Sequence, residues 1–215
     1  MHRTTRLMLA AACATALTAC GTAEPSAAPV IEVPETTPSP SSSSSPSSSP
    51  TATKPKTDPN LVDADLSQLK NYAIDFRVPV VITTSSDAGA QYHLDAQPDG
   101  SVDFSGTAPT DTTRMTLRPA KVRKRTEKTR NHVMIVATPV AKAAGPKSCV
   151  TDERKGVLKM EPCEPGAANQ SWRLTPAGDS GLFELSGAHT AVRVNEGRIV
   201  EEGGWSALET TAVKP

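Results

Sequence analysis

The stretch CVTDERKGVLKMEPCEPGAANQSWRLTPA, residues 149–177, decides how the folded part of the sequence is interpreted. Its short apolar runs are separated by Gly, Pro, Asp and Asn, a spacing typical of short β-strands. Lys155-Gly156 lies between two of these runs and predicts a hairpin turn, because Gly tolerates the positive φ that tight turns require. Together with the apolar run that precedes it, this stretch predicts four strands within residues 132–177.

The same order of strands and turns recurs twice elsewhere in the chain. Residues 78–120 and the shorter segment 181–213 each contain four short runs, with Asp99-Gly100 and Glu196-Gly197 at the corresponding turns. Three four-stranded repeats suit an all-β fold of the β-trefoil type, a six-stranded barrel closed by three hairpins. Such closure leaves no barrel edge open to another chain.

The central repeat resembles those of the ricin-B-type lectins. The resemblance rests on Cys149-Val150, Val157-Leu158-Lys159-Met160, Cys163 and Asn169-Gln170-Ser171-Trp172. The family pattern is Cys-Leu-Asp, a short strand, a second Cys and a Gln-x-Trp motif. It implies that Gln170 and Trp172 are structural, with the Trp ring in the core. Alignment of Pro119 with Pro176 places Met115 at the Trp position of the first repeat, and Leu208 falls at that position in the third.

The same resemblance implies a set of candidate sugar-binding residues. In that family a site combines an Asp near the first Cys position, an amide near Gln-x-Trp, and an aromatic platform. The corresponding residues here are Asp95, Asp152, Asn169 and Trp205. No repeat has the complete set, since Thr112 replaces the amide in the first repeat and Asp152 lies one residue late in the second. Two alternatives stay open: the acids simply flank hairpins, and Trp205 is part of the core.

The N-terminus resembles the leader of a bacterial lipoprotein. Arg3 and Arg6 precede an apolar stretch, residues 7–19, that is too short to span a bilayer but suits a signal peptide. Leu17-Thr18-Ala19-Cys20 matches the lipobox, whose Cys thiol takes a diacylglyceryl group. We expect cleavage before Cys20, lipidation there, and anchoring on the extracytoplasmic face of the cell membrane. An ordinary signal peptide with a chance Cys at its end is the alternative.

A segment rich in Pro and Ser separates this leader from the folded part. It has no periodic apolar face, so nothing offsets the entropy cost of ordering it, and we expect a disordered tether. The expected organisation is a signal peptide at 1–19, the tether at 20–59, a lead-in segment at 60–77 and the trefoil domain at 78–215.

The remaining cysteines predict a disulfide. Cys13 leaves with the leader and Cys20 takes the lipid, so Cys149 and Cys163 remain in an oxidising compartment. A zinc site is the alternative, although no His lies near either Cys in the sequence.

A basic run connects the first two repeats. Its cations are Lys121, Arg123, Lys124, Arg125, Lys128 and Arg130. It is either a solvated connector or a contact for an anionic wall polymer or anionic lipid headgroups. The whole chain has 23 basic and 23 acidic residues, so its net charge predicts no attraction to nucleic acid.

No catalytic motif stands out in the sequence. His93, His132 and His189 are scattered, without an adjacent nucleophile motif, and neither a phosphate-binding loop nor a lipase-type Gly-x-Ser-x-Gly is present. We therefore expect no enzyme and no cofactor. The predicted function is a surface lipoprotein whose module binds cell-wall or extracellular glycan. The alternative is a structural or protein-interaction envelope lipoprotein without sugar binding.

Overall fold

A computed structural model describes residues 58–138 and 146–214 of the chain. The leader, the lipidation residue Cys20 and nearly all of the tether lie outside the described residues. The described strands are β1 Val62–Asp63, β2 Pro79–Ser85, β3 Gln91–Ala96, β4 Ser101–Gly106, β5 Met115–Pro119, β6 Lys121–Val122, β7 His132–Ala137, β8 Ser148–Asp152, β9 Leu158–Pro162, β10 Trp172–Pro176, β11 Phe183–Ser186, β12 Val194–Asn195, β13 Arg198–Ile199 and β14 Glu209–Ala212. Three short 3-10 helices cover Ser67–Asn71, Glu127–Thr129 and Ala168–Gln170.

The sheet closes on itself. All of its pairings are antiparallel, and they run from β7 through β5, β2, β3, β4, β9 and β8 back to β7, which gives a seven-strand barrel. In addition, β14 pairs with β2, and a bridge between Phe183 and Leu208 joins β11 to the residue just before β14. The all-β prediction is confirmed, whereas the division into three four-stranded repeats stays an interpretation of this strand order.

Three hairpins form at the predicted Gly-containing turns. They are β3–β4, β8–β9 and β12–β13. In the last of these, Glu196 and Gly197 both have positive φ, 48° and 78°, the backbone that a two-residue hairpin loop requires. The turn is thus formed although Glu is a poor residue for that conformation.

The core consists of a main cluster of apolar side chains and a smaller one that contains Met134, Val136 and Cys149. Met115, Trp172 and Leu208, the three residues that the sequence places at equivalent positions, are all fully buried within the main cluster. Trp172 also donates a hydrogen bond from Nε1 to the carbonyl oxygen of Val150 at 3.0 Å. Its one polar group is therefore satisfied inside the core.

The Cys149–Cys163 disulfide is present and confirms the prediction. It joins β8 to the residue just after β9, with a Cα–Cα distance of 4.9 Å. Both sulfurs are consumed in this bond, so they provide no thiolate for the zinc alternative. The bond fixes the base of the β8–β9 hairpin.

The lead-in segment is attached to the basic connector. Val62 pairs with Val122 and Asp63 with Lys121, so that β1 and β6 form a separate two-stranded sheet. Leu69, in the 3-10 helix that follows, is fully buried in the main core. The described residues before the barrel are therefore part of the folded unit.

Candidate ligand-binding sites

A polar cleft lies between two hairpins, β3–β4 and β12–β13. Its volume is about 370 Å³, and its lining residues are Tyr92, Gln97, Ser101, Asp103, Ser105, Glu196, Gly197 and Arg198. Strand β4 supplies three of them because its residues alternate: Val102 and Phe104 are buried in the core, while the residues between them are not. We call this site the hairpin cleft.

Asp103 ties the two hairpins together. Its Oδ1 accepts hydrogen bonds from the backbone N–H of Phe104 at 2.9 Å and from that of Ile199, in β13, at 2.7 Å. Among the described residues, no donor reaches its Oδ2. The carboxylate is thus held in place through one oxygen, while the other remains able to accept a hydrogen bond from a ligand.

Gln97 and Tyr92 complete the chemistry of the hairpin cleft. The amide nitrogen of Gln97 donates to Asp95 Oδ2 at 3.0 Å and to Ser105 Oγ at 2.8 Å, which fixes its orientation. The tip of the β12–β13 hairpin lies so close to Tyr92 that a Cβ on Gly197 would sit 3.0 Å from the ring and 2.9 Å from the Phe104 carbonyl oxygen. Only Gly allows this approach, and it leaves a half-buried aromatic ring in the cleft wall.

The predicted ligand residue Asp95 is next to the hairpin cleft but is not part of its lining. It pairs directly with Asp103 across β3 and β4. Its Oδ2 accepts the bond from Gln97, and its Oδ1 is buried with no hydrogen-bond partner in the described part of the chain. Asp95 does not line the cleft, but it orients an amide that does.

Asp152 is buried, with 1% of its surface exposed. Its Oδ2 accepts hydrogen bonds from the backbone N–H groups of His189 at 2.6 Å and Thr190 at 3.0 Å. A Cβ on Gly187 would lie only 2.2 Å from the same oxygen. Asp152 therefore anchors the loop after β11, and its carboxylate is not accessible to a ligand in solution.

The other predicted residues lie apart from the hairpin cleft. Asn169 is half-buried in the 3-10 helix Ala168–Gln170, and Trp205 is 41% exposed beside the first residue of β12. Exposure of Trp205 agrees with the platform alternative rather than with the core alternative. The structure does not bring Asp95, Asp152, Asn169 and Trp205 together.

Gln170 is committed to internal hydrogen bonds. Its Nε2 donates to Thr151 Oγ1 at 3.1 Å and to the Pro162 carbonyl at 3.0 Å, and its Oε1 accepts from the Glu164 N–H at 2.8 Å. These bonds join β8 to the loop after β9. They leave Gln170 no free capacity on the amide nitrogen for a ligand.

The basic run is only partly neutralised. Lys121 Nζ lies 2.8 Å from Asp63 Oδ1, and Arg125 donates from Nε to the Asp63 carbonyl oxygen at 2.9 Å. Arg130 is paired with Glu127. The cations of this run that form no ion pair with any described acid are Arg123, Lys124, Arg125 and Lys128.

A second concavity, of about 470 Å³, lies beside this run. Lys121 and Arg123 line it together with His132 and Ser171, and the Nδ1 of His132 lies 2.9 Å from Ser171 Oγ. Burial, and then the positive charge of Arg173, lower the pKa of His132, partly opposed by a backbone hydrogen bond with Lys128. His132 is therefore neutral at pH 7. We call this concavity the basic groove.

The described residues contain neither a metal-binding cluster nor a membrane-spanning helix. No group of three or more His, Cys, Asp or Glu side chains in residues 58–138 and 146–214 is placed to hold a metal ion. In the same residues, no helix is long and apolar enough to cross a membrane.

Comparisons with known proteins give structural similarity alone. No protein-family model and no curated protein sequence matches the chain. Among solved structures it is similar to the BEL β-trefoil in an apo crystal form, with 10% identity over 65% of this chain and 95% of that one, and a TM-score of 0.47. It is also similar to Cry35Ab1, with 12% identity over 66% of this chain and a TM-score of 0.46, and it spans 37% of that protein.

Proposed function

We propose that the folded part of this protein is a β-trefoil module that binds carbohydrate without catalysis, and that the hairpin cleft is its binding site. The strand order supports the trefoil: residues 78–120, 132–177 and 181–213 each contain four strands, of which the middle two form a hairpin. The resemblance of the central repeat to ricin-B-type lectins points in the same direction.

The observation that carries the proposal is the free Oδ2 of Asp103 in a cleft that also contains an aromatic ring. A sugar presents hydroxyl groups at its edge and a less polar face, so it binds where a fixed carboxylate lies near an aromatic side chain. Arg198 and Glu196 supply further charged groups at the mouth of the cleft. The cleft volume lies near the lower end of the range for small-ligand sites, about 300–1,000 Å³, which suits one or two sugar rings rather than a long chain.

The test is binding of the full-length protein to a glycan array, followed by calorimetry with the glycan that binds best. Asp103→Asn keeps an acceptor for the Ile199 N–H but replaces the free oxygen with a donor. We expect it to weaken binding by about tenfold or more, the effect of losing a hydrogen bond to a charged group.

Asp87→Asn is the matched control, because Asp87 is an exposed acid in the β2–β3 connection, away from the cleft. It should bind like the wild type. If the wild type retains no glycan, or if Asp103→Asn binds fully, the hairpin cleft is not a sugar site. The first result would leave the structural or protein-interaction role of an envelope lipoprotein.

We further propose that a lipid on Cys20 holds this module at the extracytoplasmic face of the cell membrane. The support is the lipobox-like Leu17-Thr18-Ala19-Cys20 after a leader of suitable length. A radioactive fatty acid fed to the cells should label the wild-type protein, and Cys20→Ser should remove the label almost completely. Label that persists in Cys20→Ser would disprove lipidation at this residue, and Cys13→Ser is the control that should retain it.

A further inference from the structure

The basic groove has an uncompensated positive charge. Its lining contains Lys121 and Arg123 but no acidic side chain. Asp63 is shared between Lys121 and Arg77, whereas Arg123 forms no ion pair with any described acid. Three further cations of the same segment, Lys124, Arg125 and Lys128, also form no ion pair with a described acid. The groove therefore attracts a ligand that bears negative charge.

Close packing defines part of the lining of the groove. Leu61 packs against Gly166, where a Cβ would lie 3.1 Å from the Leu61 side chain, and Gly166 itself has a φ of 89°. Gly187, in the loop that Asp152 anchors, also belongs to the lining, and a Cβ there would overlap the Asp152 carboxylate. A larger residue at either Gly would clash or be strained and would displace this part of the lining.

Ser171 gives the groove a hydrogen-bond donor that depends on His132. The Nδ1 of His132 lies 2.9 Å from the Ser171 hydroxyl, and in neutral His132 with the proton on Nε2 this nitrogen accepts the hydroxyl hydrogen. When His132 is protonated, both ring nitrogens donate, and Nδ1 no longer accepts a hydrogen bond. The Ser171 hydroxyl can then donate its hydrogen to a ligand. An anion in the groove therefore favours protonation of His132, and protonation in turn favours the anion.

The shape of the groove selects among anionic ligands. A bilayer surface is flat and reaches projecting side chains, whereas a single polymer chain enters a concavity. Tyr, Phe and Trp are absent from the described lining, so nucleic acid bases find no ring on which to stack. We propose that the basic groove binds a phosphate group of a soluble phosphodiester polymer, with Arg123 and Lys121 supplying the charge and Ser171 a hydrogen bond.

The experiment measures binding of poly(glycerol phosphate) to the full-length protein in detergent, by calorimetry at low and at physiological salt. Arg123→Gln should weaken binding by about tenfold, as expected for a charge-assisted hydrogen bond. By analogy with other phosphodiester chains, it should also reduce the slope of log affinity against log salt by about one. Arg154→Gln is the matched control, because Arg154 is an exposed Arg in the β8–β9 turn that lines neither site.

A second readout separates the groove from general charge attraction. As the pH is lowered below the usual pKa of His, the wild type should bind more tightly once His132 takes up a proton, and His132→Gln should lose this change. The charged groups around His132 are Arg173, whose positive charge acts on its pKa, and Lys121 and Arg123, which line the same groove. The polymer also keeps its charge, because a phosphodiester titrates at far lower pH.

Three results would overturn the proposal. They are no binding by the wild type, an equal loss in Arg154→Gln, and binding to phosphatidylglycerol vesicles without binding to the soluble polymer. Asp103→Asn should leave polymer binding unchanged, since the two sites share no lining residue. Failure of this proposal is therefore distinguishable from failure of the proposed sugar site.

Discussion

Replacement of Trp172 by Ala is expected to lower the free energy of unfolding by about 3–5 kcal/mol. The Trp172 side chain is fully buried in the main core cluster, so its removal leaves a cavity that the closed barrel cannot fill by collapse. The substitution also removes the donor that satisfies the Val150 carbonyl oxygen. Urea unfolding followed by circular dichroism measures the loss.

Trp205→Ala is the matched control for this substitution. Trp205 is 41% exposed, so the same chemical change there should alter the free energy of unfolding by less than about 1 kcal/mol. The chain has two Trp residues, so fluorescence of Trp205→Ala reports on Trp172 alone. Equal losses in the two variants would contradict a core role specific to the Gln-x-Trp motif.

Asp152→Ala is expected to lower the free energy of unfolding by about 3 kcal/mol. The substitution removes the acceptor of two backbone N–H groups, those of His189 and Thr190, and hydrogen bonds to charged groups contribute about 1.5–3 kcal/mol each. Both donors belong to the loop after β11, so this loop should also become more susceptible to proteolysis. Chemical denaturation and limited proteolysis measure the two effects.

Two comparisons distinguish this anchoring role from sugar binding. Asp152→Asn retains an acceptor oxygen and should lose clearly less stability than the Ala variant. Asp179→Ala, at an exposed acid in the β10–β11 connection, should be close to neutral. If Asp152→Ala remains as stable as the wild type but fails to bind glycan, the ligand role that the lectin resemblance implies is correct and the anchoring role is not.

The strand content was predictable because its signals are local. Asp99-Gly100, Lys155-Gly156 and Glu196-Gly197 each mark a turn between two apolar runs, and each run is short enough to be one strand. The disulfide was predictable from the number of cysteines and their expected compartment. The extra β1–β6 pairing was not, since two-residue strands leave no periodic pattern in a sequence.

The hairpin cleft was only partly predictable, because tertiary pairing creates it. The alternation of Ser101, Asp103 and Ser105 with buried residues already indicates an outward polar face on β4. Nothing in the sequence, however, places β13 close enough for the Ile199 N–H to reach Asp103. The family pattern pointed to Asp95 instead, which is the direct cross-strand partner of Asp103.

Whether the Asp152 carboxylate is buried depends on a residue that is distant in the sequence. Gly187 leaves room for the Asp152 carboxylate, since a Cβ there would overlap it. The local sequence around a single Gly in a loop does not indicate that a buried acid will occupy the space where a side chain would be. Sequence patterns therefore identify the acid but do not reveal whether it faces solvent or a backbone loop.

We expect the pairing of β2 with β14 to form later in folding than the three hairpins. The three hairpins join neighbours in the chain and form on a timescale of about 1–10 μs, whereas β2 and β14 meet only after everything between them has been synthesised. Until then one side of β2 lacks its hydrogen-bonding partner, and a nascent chain in that state is prone to associate with others. The interval between the appearance of these two strands in the compartment where the protein folds is therefore when a chaperone would be of most use.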